Sequence, residues 1–167
     1  MEGKVLWHVT MSADGFIAGR HDAIDWAFGH GRPGPIADEV IRATGAVLAG
    51  RRCYDGGTRP GAHPQGIYGG AWNGPMFVLT HRPPETSPDP QISFLSDGIE
   101  NVVATALAAA GPKSLGIFGA SIARQCIAHG LIDEIVMHVV PVLLGARPGT
   151  AVSAHATIIG RSGATVS

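Results

Sequence analysis

Short apolar runs that alternate with helical patterns limit this chain to one class of fold. Runs rich in β-branched and aromatic residues lie at 5–11, 46–49 and 76–80, and they predict buried strands. Apolar residues recur at helical spacing over 36–44 and 99–110. Strands that alternate with helices predict βαβ crossovers, so we expect an α/β fold with a mainly parallel sheet.

The second half of the chain extends this pattern. Three further apolar runs, which we interpret as strands, lie at 92–95, 115–118 and 132–144. Gly45 is predicted to end the first helix, and a turn at Gly119 leads into the last one. In the simplest interpretation of that turn, Ser121 is the N-cap of the helix.

The tail of the chain predicts an antiparallel hairpin. Residues 155–159 and 164–166 flank a short turn that contains a glycine. With this hairpin at its end, we expect the chain to form a single domain over residues 1–167.

Glycine and proline are frequent, with 24 and 12 residues among 167, which indicates many turns and argues against a simple helix bundle. Many of them fall in two loops, 29–35 and 56–75. The first loop contains a literal G-x-G-x-x-G, but no clear strand precedes it and prolines flank its last glycine. We therefore do not interpret it as a dinucleotide site.

Charge and cysteine content exclude several classes of protein. The 12 basic and 13 acidic residues form no basic stripe, so nucleic acid is not an expected partner. The longest apolar stretch, 135–145, falls short of the ~20 residues that span a membrane. Cys53 and Cys126 form neither a CxxC motif nor a disulfide framework. We therefore expect a cytoplasmic protein without a membrane segment.

The eight histidines show no metal-binding spacing. Neither HxxxH nor HExxH occurs, and the HxE and PCxxC motifs of zinc deaminases are absent. We predict no metal site and no fused deaminase domain. His138 lies inside an apolar run and is interpreted as a core or interface residue.

Three turns at strand ends carry groups that suit an anion. Ligands of parallel sheets bind at the carboxyl ends of the strands. Gly50-Arg51-Arg52 provides two guanidiniums, and Thr80-His81-Arg82 provides a second cationic strand end. Gly119-Ala120-Ser121 provides a helix N-terminus. Together these turns predict a site for a dinucleotide that carries an additional phosphate.

Four segments of the chain resemble one family. TMSADGFIAG (10–19), AVLAGRRCYDGG (46–57), MFVLTHRPP (76–84) and residues 117–145 are similar, in the same order, to the dihydrofolate-reductase-like superfamily. The similarity is greatest to the riboflavin-biosynthesis reductase, the C-terminal domain of the bacterial bifunctional deaminase-reductase, and to its stand-alone relatives. The resemblance implies a three-layer αβα fold and an NADPH-dependent reductase of a small pyrimidine- or pterin-like substrate.

The resemblance also implies roles for individual residues. Thr10 and Ile17 correspond to positions beside the nicotinamide, and we assign His8 and Trp26 to the substrate. The phosphates and the adenine are assigned to the three turns, namely Gly50, Arg51, Arg52, Thr80, His81, Arg82, Gly119, Ala120, Ser121, Ile122 and Ala123.

The chain departs from the family pattern in ways that leave the substrate open. Ala120 and Ser121 stand where the family turn is richer in glycine, and the tail is shorter than the family's closing strands. Ile117 and Phe118 stand where riboflavin-pathway reductases carry a substrate-contacting Glu. The alternatives are a ribosylaminopyrimidine reductase, a dihydrofolate reductase and a non-catalytic NADP(H)-binding domain.

A proton donor and a homodimer complete the expectations. Hydride transfer to an imine or carbonyl carbon needs little acid–base chemistry from the protein. Asp38 is the best-placed carboxylate, with Asp14 second, although Asp38 also fits a first-turn acid that complements the helix dipole. The resemblance implies a homodimer that forms through 132–144 and the tail.

Overall fold

The computed structural model describes residues 3–28, 34–58, 66–87 and 89–145, which form a six-stranded sheet flanked by helices. The strands are β1 (Val5–Ser12), β2 (Thr44–Gly50), β3 (Met76–Leu79), β4 (Ile92–Leu95), β5 (Ser114–Phe118) and β6 (Glu134–Val140). The α-helices are α1 (Pro35–Ala43), α2 (Arg51–Thr58), α3 (Ile99–Ala110) and α4 (Ala120–Ala128). Short 3₁₀ turns lie at Arg20–Asp22, Asp25–Ala27 and Ile67–Gly70.

The sheet has the order β4-β3-β2-β5-β1-β6, and every strand pair in the described residues is parallel. The chain steps from β1 toward β4 and then returns through β5 to β6. Because parallel crossovers are right-handed, the two directions place α1 and α2 on one face and α3 and α4 on the other. The expected α/β class with a parallel sheet is confirmed.

The main core lies between the sheet and the helices α3 and α4. Alternate residues of each strand point to this face, as the two-residue period of a strand requires. The buried cluster includes Val5, Trp7, Leu48, Leu115, Ile117, Val102, Ala106, Ile122 and Cys126. Burial of apolar area at ~25 cal/mol per Å² makes this layer the principal source of stability.

The prediction that Gly45 ends the first helix is wrong. α1 ends at Ala43, and Gly45 lies within β2. A Cβ at this position would lie 2.3 Å from the carbonyl oxygen of Ala110, at the end of α3. The glycine is therefore required by the close approach of two backbones, which a local pattern does not reveal.

Two other predicted boundaries also differ from the structure. β6 stops at Val140, because Pro141 follows and cannot donate a ladder hydrogen bond. Gly119, not Ser121, is the N-cap of α4. The predicted hairpin at 155–166 and the literal glycine motif at 29–34 lie largely or wholly outside the described residues.

No helix in the described part of the chain is long and apolar enough to cross a membrane.

Candidate active site

The three anion-friendly turns meet at the carboxyl ends of neighbouring strands. The guanidinium of Arg51 donates through Nη1 to the carbonyl oxygen of Arg82 at 3.1 Å, which joins the turns after β2 and β3. A Cβ on Gly50 would lie 3.3 Å from Cγ1 of Ile122 in α4. The turn after β5 therefore packs directly against the turn after β2, and the three turns form one continuous surface.

The turn after β5 presents an open helix N-terminus. Gly119 has φ +90° and ψ 140°, a conformation that residues with a Cβ rarely adopt, and no side chain caps α4. The N-terminal N–H groups and the positive end of the helix dipole are thus available to an anion. A Cβ on Gly119 would lie 3.4 Å from Cβ of Cys53, so the turn is also closely packed against α2.

The two arginines after β2 differ in how firmly they are held. Arg51 is about 42% exposed, and its Nε donates to Asp55 at 2.8 Å, one turn further along α2. Arg52 is 87% exposed and approaches Asp22 at 3.6 Å. Arg51 is therefore fixed in place, whereas Arg52 extends into solvent between α2 and the turn at Arg20–Asp22.

The turn after β3 is ordered by its threonine. Thr80 is buried, its N–H donates to the carbonyl of Leu95, and its Oγ1 accepts a hydrogen bond from the N–H of Arg82 at 3.1 Å. His81 and Arg82 are exposed. The threonine thus shapes the turn, and the two basic side chains face solvent.

A chain of three uncharged polar rings lies on the face of the sheet that α1 and α2 cover. Nδ1 of His8 is 3.1 Å from the hydroxyl of Tyr68, and Nε2 of His8 is 2.7 Å from Nε2 of His138. Burial, with a smaller contribution from His138, lowers the pKa of His8 to about 4. Burial also lowers the pKa of His138 and raises the pKa of Tyr68 to about 12. All three groups are therefore neutral at pH 7.

Tyr68 reaches this position through a strained backbone. Its φ is +53°, in the left-handed region, and the following Gly69 and Gly70 also have positive φ. The ring packs edge-on against Phe118 at a centroid distance of 5.4 Å and lies 5.5 Å from the ring of His8. A strained residue that is held by aromatic contacts is typical of functional sites.

Asp14 and Asp38 have different surroundings. The carboxylate of Asp14 accepts hydrogen bonds from the Ser12 hydroxyl at 2.7 Å and from the N–H groups of Leu144 and Gly145. The bond from Ser12, followed by the backbone bonds, lowers the pKa of Asp14. Asp14 thus links the end of β1 to the segment after β6, whereas Asp38 is exposed in the first turn of α1.

The segment after β1 holds the remaining predicted contacts. Ile17 is half-buried and packs against the main core. The indole N–H of Trp26 donates to the carbonyl of Ala23 at 2.9 Å. Its ring lies so close to the backbone that a Cβ on Gly19 would be 3.3 Å from Cδ1. Trp26 therefore anchors the loop that follows β1.

The structure thus brings together the residues of all three predicted turns, and it sets His8 next to two residues that sequence reasoning did not assign to the site. Tyr68 was expected only as part of a loop, and His138 as a core or interface residue. The two-residue period of a strand indicates only that the side chains of His8 and Thr10 lie on the same face of the sheet. No local sequence pattern links His8 or Thr10 to Tyr68.

The residues present fit a phosphorylated dinucleotide. An uncapped helix N-terminus beside a positive-φ glycine suits a pyrophosphate, and exposed guanidiniums suit a phosphate monoester. No group of three or more His, Cys, Asp and Glu side chains with metal-binding geometry occurs in the described residues.

A cavity of about 500 Å³ lies at the other end of the sheet. Its lining includes Thr44, Trp72, Pro75 and Lys113, which precede or begin the strands β2, β3 and β5. The indole of Trp72 donates to the carbonyl of Thr44 at 3.0 Å. The amino ends of the strands are thus far from the three turns, and we do not include this cavity in the candidate site.

Comparison with known proteins places the chain in one family. The model of the RibD C-terminal domain matches residues 3–157, so the chain belongs to the RibD C-terminal domain family. No curated protein matches the chain. The resemblance inferred from the sequence is therefore confirmed at the level of the family.

Solved structures support the same fold. A protein from Shewanella sp. PV-4 whose name refers to riboflavin biosynthesis has a TM-score of 0.63 and 21% identity, and the match covers 84% of this chain and 78% of that protein. A diaminohydroxyphosphoribosylaminopyrimidine deaminase/5-amino-6-(5-phosphoribosylamino)uracil reductase from Thermotoga maritima has a TM-score of 0.59 and 15% identity, over 87% of this chain. RibD from Acinetobacter baumannii has a TM-score of 0.54 and 18% identity, over 90% of this chain. The match covers 46% and 48% of the last two proteins, just under half of their length.

Proposed function

We propose that this protein is an NADPH-dependent reductase of a small pyrimidine- or pterin-like substrate, similar to 5-amino-6-(5-phosphoribosylamino)uracil reductase. The observation that carries the proposal is the meeting of three anion-friendly turns at the carboxyl ends of β2, β3 and β5. Family membership supports the same activity.

Each of the three turns contacts a different part of the proposed cofactor. The N–H groups of residues 120–122, which precede the first helical hydrogen bond from Ala123 to Gly119, hold the pyrophosphate. Arg51 and Arg52 hold the adenosine phosphates, and Thr80 to Arg82 surround the 2′-phosphate and adenine. Planar guanidiniums pair with phosphate oxygens through two parallel hydrogen bonds, which favours NADPH over NADH. Thr10 and Ile17 then border the nicotinamide.

NADPH supplies a hydride to an imine or carbonyl carbon when it is bound. The protein positions the substrate against β1, where His8 faces the covered side of the sheet and Trp26 fixes the following loop. The exposed carboxyl of Asp38 provides the accompanying proton. Phe118 replaces the acidic contact of the riboflavin pathway, so an apolar ring of the substrate is favoured at that position.

We also propose that two copies associate through β6. In the described residues this strand pairs on one side with β1 and forms an edge of the sheet. Val139 in β6 is 58% exposed, Leu143 just beyond the strand is 77% exposed, and unpaired edges favour pairing with another chain. Size-exclusion chromatography that shows only a monomer would contradict this.

The free thiols of Cys53 and Cys126 suit the reducing cytoplasm.

A comparison of NADPH and NADH binding tests the function. Titration of the purified full chain, followed through nicotinamide fluorescence, is expected to give tighter binding of NADPH. Turnover is then measured with the ribosylaminouracil phosphate and with dihydrofolate as separate substrates. Absence of binding of both dinucleotides would refute the reductase, and selective binding without turnover would favour a non-catalytic binding domain.

A further inference from the structure

A chain of hydrogen bonds, Tyr68–His8–His138, connects a loop to β1 and to the edge strand β6. Tyr68 lies just before β3, His8 in the middle of β1 and His138 in β6, so the two hydrogen bonds span 60 and 130 residues of sequence. The two imidazoles also meet edge to face at a centroid distance of 4.8 Å. Such a chain needs the completed fold, and no local structure requires it.

The surroundings of this chain keep it uncharged. In the described residues neither imidazole forms an ion pair, and burial is the largest cause of the lowered pKa of each ring. A neutral imidazole carries one N–H and one bare nitrogen, so hydrogen bonds on one ring determine the tautomer of the next.

Hydrogen-bond donation along Tyr68, His8 and His138 can run in either of two directions, and each direction gives His138 a different tautomer. If the Tyr68 hydroxyl donates to Nδ1 of His8, then His8 must donate from Nε2, and the proton of His138 must lie on Nδ1. In the reverse direction His138 donates from Nε2, and its Nδ1 is bare. A phenol hydroxyl is a stronger hydrogen-bond donor than acceptor, and the bare nitrogen of a neutral imidazole is a strong acceptor, so the Tyr68 hydroxyl is a suitable first donor to Nδ1 of His8.

His138 stands beside the expected position of the nicotinamide. The pairing of β1 with β6 places it directly opposite Thr10. The Nδ1 atom forms no hydrogen bond to any of the described residues. This nitrogen is half-buried next to the reacting end of the proposed cofactor site, where a donor without a protein partner can reach a substrate.

We propose that Tyr68 and His8 hold His138 as the neutral Nδ1–H tautomer, and that this N–H is the donor that stabilises negative charge on the substrate during reduction. The proposal rests on the proposed function. His138 is then a catalytic residue, and Tyr68 and His8 are positioning residues.

The step balances with the groups already named. The hydride brings an electron pair that forms the new C–H bond, and the π pair of the C=N or C=O bond moves to the nitrogen or oxygen. The Nδ1–H of His138 donates a hydrogen bond to that atom while its charge develops. Asp38 then transfers a proton to the same atom, and water restores the proton of Asp38. A neutral imidazole donor stabilises the charge without itself losing a proton.

The tautomer is measured directly on the full chain labelled with ¹⁵N-histidine. One-bond ¹⁵N–¹H couplings at neutral pH are expected to show a proton on Nδ1 of His138 and on Nε2 of His8. Tyr68→Phe, which removes the hydroxyl and keeps the ring against Phe118, should give a mixture of tautomers. A proton on Nε2 of His138 in the wild-type chain would overturn the proposal, whether or not the protein is active.

Two matched variants of His138 test the donor. The amide nitrogen of Asn lies near the position of Nδ1, whereas that of Gln lies near Nε2. His138→Gln should lower kcat about a hundredfold, the usual effect of losing one such donor, and His138→Asn should retain most of it. KM for NADPH should not change in either variant. Equal kcat for the two variants would overturn the donor role.

Tyr68 is tested against the other tyrosine, Tyr54, whose ring contacts Phe94. Tyr68→Phe should lower kcat about three- to tenfold with an unchanged KM for NADPH, because one neutral hydrogen bond is lost. Tyr54→Phe and His129→Gln serve as controls and should remain fully active. If the wild-type chain turns over and all variants match it, the tautomer proposal fails alone. If the wild-type chain neither binds nor oxidises NADPH, the proposed function fails as well.

Discussion

The two halves of the candidate site use opposite chemistry on the same sheet. At the ends of β2, β3 and β5 lie guanidiniums, positive-φ glycine and an uncapped helix, which are all suited to a fixed negative charge. On β1 and β6 lie two imidazoles that burial keeps neutral, joined to a half-buried phenol. In the proposed site, the groups assigned to the cofactor phosphates are therefore separated along the sheet from the groups assigned to the reaction.

This separation has a physical basis. A guanidinium close to an imidazole would further disfavour the protonated ring, and a carboxylate would favour it. In the described residues Arg51 pairs with Asp55 and Arg52 pairs with Asp22, and Arg51 also donates to the carbonyl of Arg82. Their charges are thus balanced locally, and the pKa values of His8 and His138 depend mainly on burial.

The largest expected effect concerns Asp38, the proposed proton donor. Asp38→Asn should lower kcat at least about a hundredfold at neutral pH, because general acids contribute that much, and should leave NADPH affinity unchanged. Steady-state kinetics with fluorescence titration measures both quantities. Unchanged turnover would reduce Asp38 to a helix first-turn acid.

Removal of Arg51 and Arg52 tests the charged half of the site, which consists of the turns after β2, β3 and β5. The double change Arg51→Ala and Arg52→Ala should weaken NADPH binding about fiftyfold, through the loss of two exposed charge-assisted hydrogen bonds, and should weaken NADH binding less, about fivefold, because NADH lacks the 2′-phosphate. Titration of both dinucleotides gives the preference. Arg42→Ala, at the end of α1, is a control that should have no effect. Equal weakening of both dinucleotides would place the additional phosphate elsewhere.

A pair of glycines separates backbone strain from ligand contact. Gly119 and Gly130 both have positive φ, at +90° and +64°. Either glycine changed to Ala should reduce the free energy of unfolding by about 1–2 kcal/mol. Only Gly119→Ala should also weaken NADPH binding, about tenfold, because loss of the +90° φ at the N-cap would reorient the N–H groups at the start of α4. Denaturant unfolding and titration measure the two effects, and equal affinities would remove this turn from the site.

The neutral half of the site, which consists of His8, His138 and Tyr68, should make the free energy of unfolding smaller at acid pH. The pKa of His8 falls from 6.5 unfolded to about 4 folded, so between these values the unfolded chain binds more protons. The free energy of unfolding should therefore decrease as pH falls through this window, by up to about 1.4 kcal/mol per pH unit from this group. Urea unfolding of wild-type and His8→Gln at several pH values isolates the slope. The same slope in both would assign the loss to other groups.

The smallest effect is expected at Asp14, which is exposed. Asp14→Ala should leave kcat unchanged and should speed amide hydrogen exchange at Leu144 and Gly145, whose N–H groups lose their acceptor. Exchange measured by NMR compares these amides with that of Leu115, bonded to Lys4 inside the sheet. A fall in kcat without faster exchange would instead support the proton-donor role first considered for this carboxylate.

Much of the fold follows from the order of residues along the chain. β4 and α3 have the predicted bounds. For α3 the reason is that its amphipathic pattern is flanked by Gly98 and Gly111. The three turns could be predicted because each directly follows a buried strand. Tyr68 and His138 could not, since their contacts with His8 depend on strand order and on a strained loop. The position of Gly45 likewise depends on a helix end that lies 65 residues away in sequence.

The position of β1 has a consequence for synthesis of the protein. In the described residues β1 pairs with β5 and β6 alone, so its first partner begins at Ser114. At a synthesis rate of ~5–20 residues per second, an apolar strand that contains Val5, Leu6 and Trp7 waits several seconds before either neighbour leaves the ribosome. During that interval β2, β3 and β4 can assemble, whereas β1 must be shielded from other chains. Chaperone dependence should therefore be concentrated in the segment that later carries His8.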